Sequence, residues 1–246
     1  MDRKKVGIGD TYHQWTQYRR EEMAGGGLDW ANQPPPYKEY PHHFKRIPIQ
    51  PMIHFEGKSF WQTIAERRSV RDYVPHPIPF EELSKLVWAT QGITAKAWGF
   101  DFRVAPSAGA LYPIETYVVV NRVEGLSPGI YHFSVKKAQL VLIKEGSLGQ
   151  ECSRAALGQA IIEEAACIFV WTAMVERSKW KYRERAYRYI YMDAGHIGQN
   201  LYLAATALGL GCCTVGAFFD EEMDQLIGID GKSEISVYLG AVGKIA

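Results

Sequence analysis

The feature that most restricts what this chain can fold into is a single long helical pattern. Over residues 187–208, Ile190, Ala194, Ile197, Leu201, Ala204 and Leu208 recur at spacings of three and four, and Gly209 and Gly211 stop the run. Strand-like runs lie on both sides of it. Thr116-Tyr117-Val118-Val119-Val120 and Cys167-Ile168-Phe169-Val170-Trp171 predict buried strands. Residues 129–135 and 139–143, joined by Lys136-Lys137-Ala138, predict a hairpin, and residues 212–218 and 235–242 predict two more strands. Shorter helices fit residues 79–91, with Pro79 at the start and Glu81 and Glu82 in the first turn, and residues 220–227, where Asp220 can cap. Ser59 is a good N-cap for another, which carries Phe60, Trp61, Ile64 and Ala65 and ends near Arg67. Helices and strands are interspersed, so the class is mixed α and β.

Residues 1–55 are of a different kind. Gly25-Gly26-Gly27, Pro34-Pro35-Pro36, Pro41, Pro48 and Pro51 break any long helix or strand. Yet Tyr12, Trp15, Tyr18, Trp30, Tyr37, Tyr40 and Phe44 make the stretch too aromatic for a disordered tract. The expected division is an arm over 1–55, beginning with a short helix and wrapping over the body or a partner subunit, and a body over 56–246.

With 246 residues, 47% apolar and 22% charged, the chain can bury a sizeable core. A net charge of +1 gives no general attraction to nucleic acid or anionic lipid, so anion binding has to come from local clusters. Cys152, Cys167, Cys212 and Cys213 lack CxxC spacing, and buried reduced thiols are expected. No apolar signal core follows Met-Asp-Arg-Lys-Lys, and no stretch approaches the roughly 18 uninterrupted apolar residues of a membrane helix. A cytoplasmic protein with no membrane partner is expected.

Four segments could carry chemistry. In Arg67-Arg68-Ser69-Val70-Arg71, alternate residues of an extended chain project to one side, giving two guanidinium forks with a hydroxyl between them. That suits a phosphate monoester. Each charge-assisted hydrogen bond is worth about 1.5–3 kcal/mol, so three supply a large share of the roughly 8 kcal/mol of micromolar binding. The competing reading is a solvated basic helix end. The loop Pro106-Ser107-Ala108-Gly109-Ala110-Leu111-Tyr112-Pro113 is rich in small residues that let backbone amides approach a flat ligand. Residues 209–218 run from a helix end through a strand to Gly216, where main-chain N–H groups can point into a cleft. There is no GxGxxG and no Walker motif.

The fourth segment, residues 179–189, alternates cations with aromatics. Three readings compete: a solvated basic helix start, a patch that stacks nucleic-acid bases, and an acid/base site in which Lys181, crowded by Arg183 and Arg185, acts beside Tyr182. The histidines form no HExxH, so no metal site is expected, and Asp193 with His196 suggests hydrogen bonding at a helix surface or interface. No Gly-x-Ser-x-Gly elbow supports a serine hydrolase.

Taken together in order, residues 67–73, 106–113, 187–196 and 209–218 closely resemble the nitroreductase superfamily, and within it the SagB/McbC-type dehydrogenase subgroup. The resemblance spans residues 59–244 and leaves the arm largely outside. It implies a homodimeric α+β fold, a mixed central sheet flanked by helices, with one FMN in each of two pockets at the subunit interface. Arg67, Arg68, Ser69 and Arg71 would hold the phosphate and ribityl chain, joined by Lys244. Pro106, Ser107 and Ala108 would reach the flavin ring from the other subunit, and Val215 and Gly216 would face its N5 edge. Azoline-oxidising members of the subgroup carry a Lys-Tyr pair, matched here by Lys181 and Tyr182, that takes a proton from the substrate ring while the flavin takes the hydride. The implied function is an FMN-dependent oxidoreductase of small organic substrates. NAD(P)H-driven reduction of nitro compounds or quinones is the alternative, and a flavin-binding subunit without turnover or a nucleic-acid-binding protein is more remote.

Overall fold

A computed structural model describes residues 7–22, 27–49 and 57–246. Gly25, Gly26 and Pro51, counted above among the breakers of the arm, lie outside the described residues. In chain order the elements are α1 (Ile8–Trp15), β1 (Arg46–Pro48), α2 (Phe60–Glu66), α3 (Phe80–Gln91), β2 (Ile93–Ala97), β3 (Phe100–Arg103), β4 (Ile114–Val120), β5 (Gly129–Ser134), β6 (Gln139–Glu145), α4 (Gly149–Ala155), α5 (Ala160–Glu164), β7 (Cys167–Met174), α6 (Val175–Tyr182), α7 (Ala186–Ala207), β8 (Leu210–Val215), α8 (Asp220–Ile227) and β9 (Glu234–Lys244).

Seven strands form one sheet in the order β1-β6-β5-β4-β7-β9-β8, every ladder antiparallel, and a parallel bridge joins Ile78 to Val123 beside it. Side chains alternate between the two faces of a strand, so each face needs its own cover. Val118, Val120, Cys167, Phe169 and Trp171 face one way and pack under α3 and α7, against Leu83, Leu86, Val87, Ile190, Ile197 and Leu201. Tyr117, Val119, Ile168, Val170, Leu239 and Ala241 face the other way, toward α4, α5 and α8. Cover on both faces explains why the central strands are apolar at almost every position rather than at every second one. The class is the expected α+β.

Ser59 caps α2 by accepting from Gln62 N at 3.3 Å. Asp220, expected to cap α8, is instead its first helical residue, and Phe219 holds the cap position with no side-chain bond. The hairpin β2–β3 was not foreseen: its Ala-Lys-Ala-Trp-Gly centre has little β-propensity, and the turn is made by Trp98 and Gly99 at φ of 51° and 81°. The four cysteines are buried and free. Among the described residues no helix is long and apolar enough to cross a membrane.

Candidate active site

Two corners, both built against α7, gather the residues singled out in the sequence. The first begins where α2 ends. Val70 N donates to Cys212 O on the edge strand β8 and Val74 N to Lys244 O on β9, both at 2.9 Å, so residues 67–74 lie along the sheet's edge. Gly211 permits that approach, since a Cβ there would come within 3.0 Å of both Tyr73 and Val70. Arg67 is half-buried, its guanidinium 5.2 Å from the Tyr202 ring centre, and Ser69 Oγ lies 2.9 Å from Tyr202 Oη. Tyr202 Oη also accepts from Thr214 N at 2.9 Å, and Tyr238 Oη donates to Thr214 Oγ1 at 2.6 Å. This run of hydroxyls ends next to Val215 and Gly216. Gly216 is exposed, and a Cβ there would meet only the edge of the Tyr238 ring, at 3.9 Å.

Among the described residues, no carboxylate ion-pairs with Arg67, Arg71 or Lys244. Uncompensated cations beside hydroxyl donors fit a phosphate well. Arg68 is turned the other way and donates to Ala65 O and Arg67 O, capping the end of α2, so its head group matches the helix-end reading. Lys244 lies within electrostatic reach of Glu82 on α3, whose pKa is raised by burial and partly offset by that lysine.

The second corner joins the loop 106–113 to α6 and α7. Asp193 on α7 is buried and clamps the loop, accepting from Ser107 Oγ at 2.5 Å and from Ala108 N at 3.3 Å. Burial pushes its pKa up, and these bonds offset the push only in part. The expected surface role of Asp193 is therefore corrected, because the carboxylate points inward onto the loop; His196 is exposed. Gly109, at φ 65°, lies against the end of α6: a Cβ there would stand 2.6 Å from Tyr182 Oη and 3.0 Å from Lys181 Nζ. Lys181 and Tyr182 are thus brought to the loop that the sequence singled out separately. Burial raises the Tyr182 pKa, with Tyr189 and Asp193 adding to it, so at neutral pH the phenol keeps its proton and is a donor. Pro106 is exposed at the start of the loop, with Ser107 and Ala108 half-buried behind it.

The two corners face opposite ways. Asp193 and Tyr202 are nine residues apart on α7, about 14 Å along the axis and about half a turn around it. One chain therefore cannot close both corners on one small ligand. Beside them Tyr191 and Met192 on α7, and Phe60, Trp61 and Ile64 on α2, are exposed large apolar side chains.

The segment 179–189 is neither a solvated helix start nor a free stacking patch. Trp180, Arg185, Tyr187 and Arg188 are engaged by the arm of the same chain. Trp180 packs on Trp30 with ring centres 5.2 Å apart, Tyr187 on Tyr12 at 6.5 Å, and Arg185 on the Tyr18 ring at 4.3 Å. Arg185 donates to Thr16 O and Tyr189 Oη, directed at the arm rather than at Lys181. Beneath α6 lies a buried ion network. Arg177 donates to Glu115 at 2.6 Å, to Pro35 O of the arm at 2.8 Å and to Tyr112 O of the loop at 3.3 Å, while the other Glu115 oxygen lies 2.8 Å from His132 Nε2. Burial works to raise the Glu115 pKa, but His132, Arg177 and Arg103 outweigh it and hold the carboxyl at about 2. Nothing in the local sequence marks these partners, which are 17 to 142 positions apart.

Residues 64–244 match the model of the nitroreductase family. The chain is 39% identical over 181 residues to "Putative nitroreductase MJ1384" of Methanocaldococcus jannaschii, a match that spans 74% of this chain and 88% of that protein. It is also 39% identical over 128 residues to the trifolitoxin-processing protein TfxB of Rhizobium leguminosarum bv. trifolii, spanning 49% of this chain and 34% of that protein. A crystal structure of a "putative nitroreductase" from Anabaena variabilis superposes with a TM-score of 0.81 at 31% identity, covering 97% of this chain and 46% of that longer one.

Proposed function

The chain belongs to the nitroreductase family of oxidoreductases, and from that premise we propose that it is an FMN-dependent dehydrogenase of the SagB/McbC type, acting on a small organic substrate such as a thiazoline or oxazoline. The observation that carries this reading is the meeting of Lys181 Nζ and Tyr182 Oη at Gly109, inside a loop clamped by Asp193. Likeness to TfxB supports the subgroup.

FMN, when bound, supplies the hydride acceptor. The residues present fit it. Arg67, Ser69 and Arg71 offer donors without competing carboxylates, Lys244 lies next to them in the fold, and Gly216 leaves room beside Val215 for a flat ring. Because the loop 106–108 lies on the opposite side of α7, the pocket needs that loop from a second copy. The exposed Phe60, Trp61, Ile64, Tyr191 and Met192 give a homodimer an apolar face to bury. In this reading Tyr182 Oη donates a hydrogen bond to the substrate heteroatom, and Lys181 Nζ receives the proton that leaves the substrate carbon.

NAD(P)H-driven reduction of nitro compounds or quinones is the second reading, favoured by likeness to MJ1384. Anaerobic titration of the flavin-loaded protein separates the two. Bleaching by a peptidyl thiazoline but not by NADH or NADPH is the expected result, and bleaching by the nicotinamides alone would replace the first reading with the second. Salt-sensitive binding to single-stranded nucleic acid is not expected, since the arm covers the aromatic strip that would stack bases.

A further inference from the structure

The arm and the helices around Lys181 and Tyr182 meet in an unusual way: donors on the body hold main-chain carbonyls on the arm. Arg188 donates to His13 O, Arg185 to Thr16 O at 2.5 Å, Trp180 Nε1 to Asp29 O at 2.7 Å and Arg177 Nε to Pro35 O at 2.8 Å. Two of these donors precede the Lys181–Tyr182 pair in sequence and two follow it. Between them the chain reverses through Arg183, which has φ 51° and ψ −137°, a backbone region that a residue with a side chain occupies only when its surroundings hold it there. Tyr12 Oη adds a bond to Glu184 O in the same reversal. The arm lies outside residues 64–244, the stretch shared with the family.

We propose that the arm is a working part of the catalytic site. In this role Arg177, Trp180, Arg185 and Arg188 are positioning residues that use arm carbonyls at 13, 16, 29 and 35 to hold Lys181 Nζ and Tyr182 Oη against Gly109. The proposal rests on the reading of Lys181 and Tyr182 as the proton-handling pair. It accounts for part of the composition of residues 179–189: Trp180, Arg185 and Arg188 each both grip an arm carbonyl and pack on an arm ring.

The test uses the full-length, FMN-loaded protein and the double variant Arg185→Ala/Arg188→Ala, with Trp180→Phe as a gentler change that keeps the ring and loses one donor. Amide hydrogen exchange over residues 179–186, flavin content, and kcat and KM for a peptidyl thiazoline are measured. The double variant is expected to keep its flavin, to exchange about tenfold faster over that stretch, and to lose about tenfold or more in kcat with KM little changed. Trp180→Phe should move the same readouts less, and Arg185→Lys/Arg188→Lys should recover part of the loss. Unchanged exchange in the double variant, or faster exchange with wild-type kcat, would overturn the proposal. Wild-type turnover in Lys181→Met, or no thiazoline oxidation by the wild type, would instead remove the proton-handling premise, and the proposal with it.

Discussion

The two corners of the candidate site are built on different principles. The corner at Arg67, Ser69 and Arg71 is held by main-chain bonds to β8 and β9, and among the described residues no carboxylate ion-pairs with its two arginines. The corner at Lys181 and Tyr182 rests on buried charge, with Glu115, His132 and Arg177 beneath it, and on an arm distant in sequence. A site for an anion has to keep its charges free, so its scaffold is backbone. A site that handles a proton has to keep its groups in place, so its scaffold is a network of partners. The first corner should then lose ligand when mutated, and the second should lose stability or rate.

The largest contrast is expected between Arg177→Ala and Arg71→Ala. The former leaves Glu115 buried without its arginine ion-pair partner, which costs about 3–5 kcal/mol. The latter changes an exposed side chain and should stay within about 0.5 kcal/mol. Urea unfolding of both variants measures the difference, and equal losses would break the comparison. Next comes flavin affinity. Arg67→Ala removes a charged donor worth about 1.5–3 kcal/mol, so the FMN Kd should rise about ten- to a hundredfold with unfolding little changed.

The pH dependence sharpens the same contrast. The Glu115 carboxyl is held at about 2, below its ordinary value of 4.5. A depressed folded-state pKa contributes stability that is present above pH 4.5 and lost as the pH falls toward 2. Unfolding free energies measured across that window should fall in the wild type and fall less steeply in Glu115→Gln; parallel slopes would argue against the network. The smallest effect belongs to Tyr202→Phe, which removes the hydroxyl shared by Ser69 and Thr214. It should cost about 1 kcal/mol of stability and loosen FMN less than Arg67→Ala does.

Features set by neighbours in sequence were legible in it. The stripe from Ile190 to Leu208 gave α7, and the β-branched runs gave β4 and β7, because each depends on periodicity or on one short stretch. The direction of Arg68 was not legible, since a helix end and a phosphate attract the same guanidinium. Nor was the inward turn of Asp193, because a carboxylate on a helix reads as surface until its partner Ser107, 86 positions away, is known. The arm contacts of residues 179–189 are not legible for the same reason: partners such as Asp29 and His13 lie about 150 to 175 positions away and have no local trace.

FMN titration of the wild type, Arg67→Ala and Lys181→Met, followed by flavin fluorescence, tests the division between the corners most directly. The account predicts tight binding in the wild type and in Lys181→Met, and weak binding in Arg67→Ala. Equal loss in the two variants, or no binding by the wild type, would contradict it.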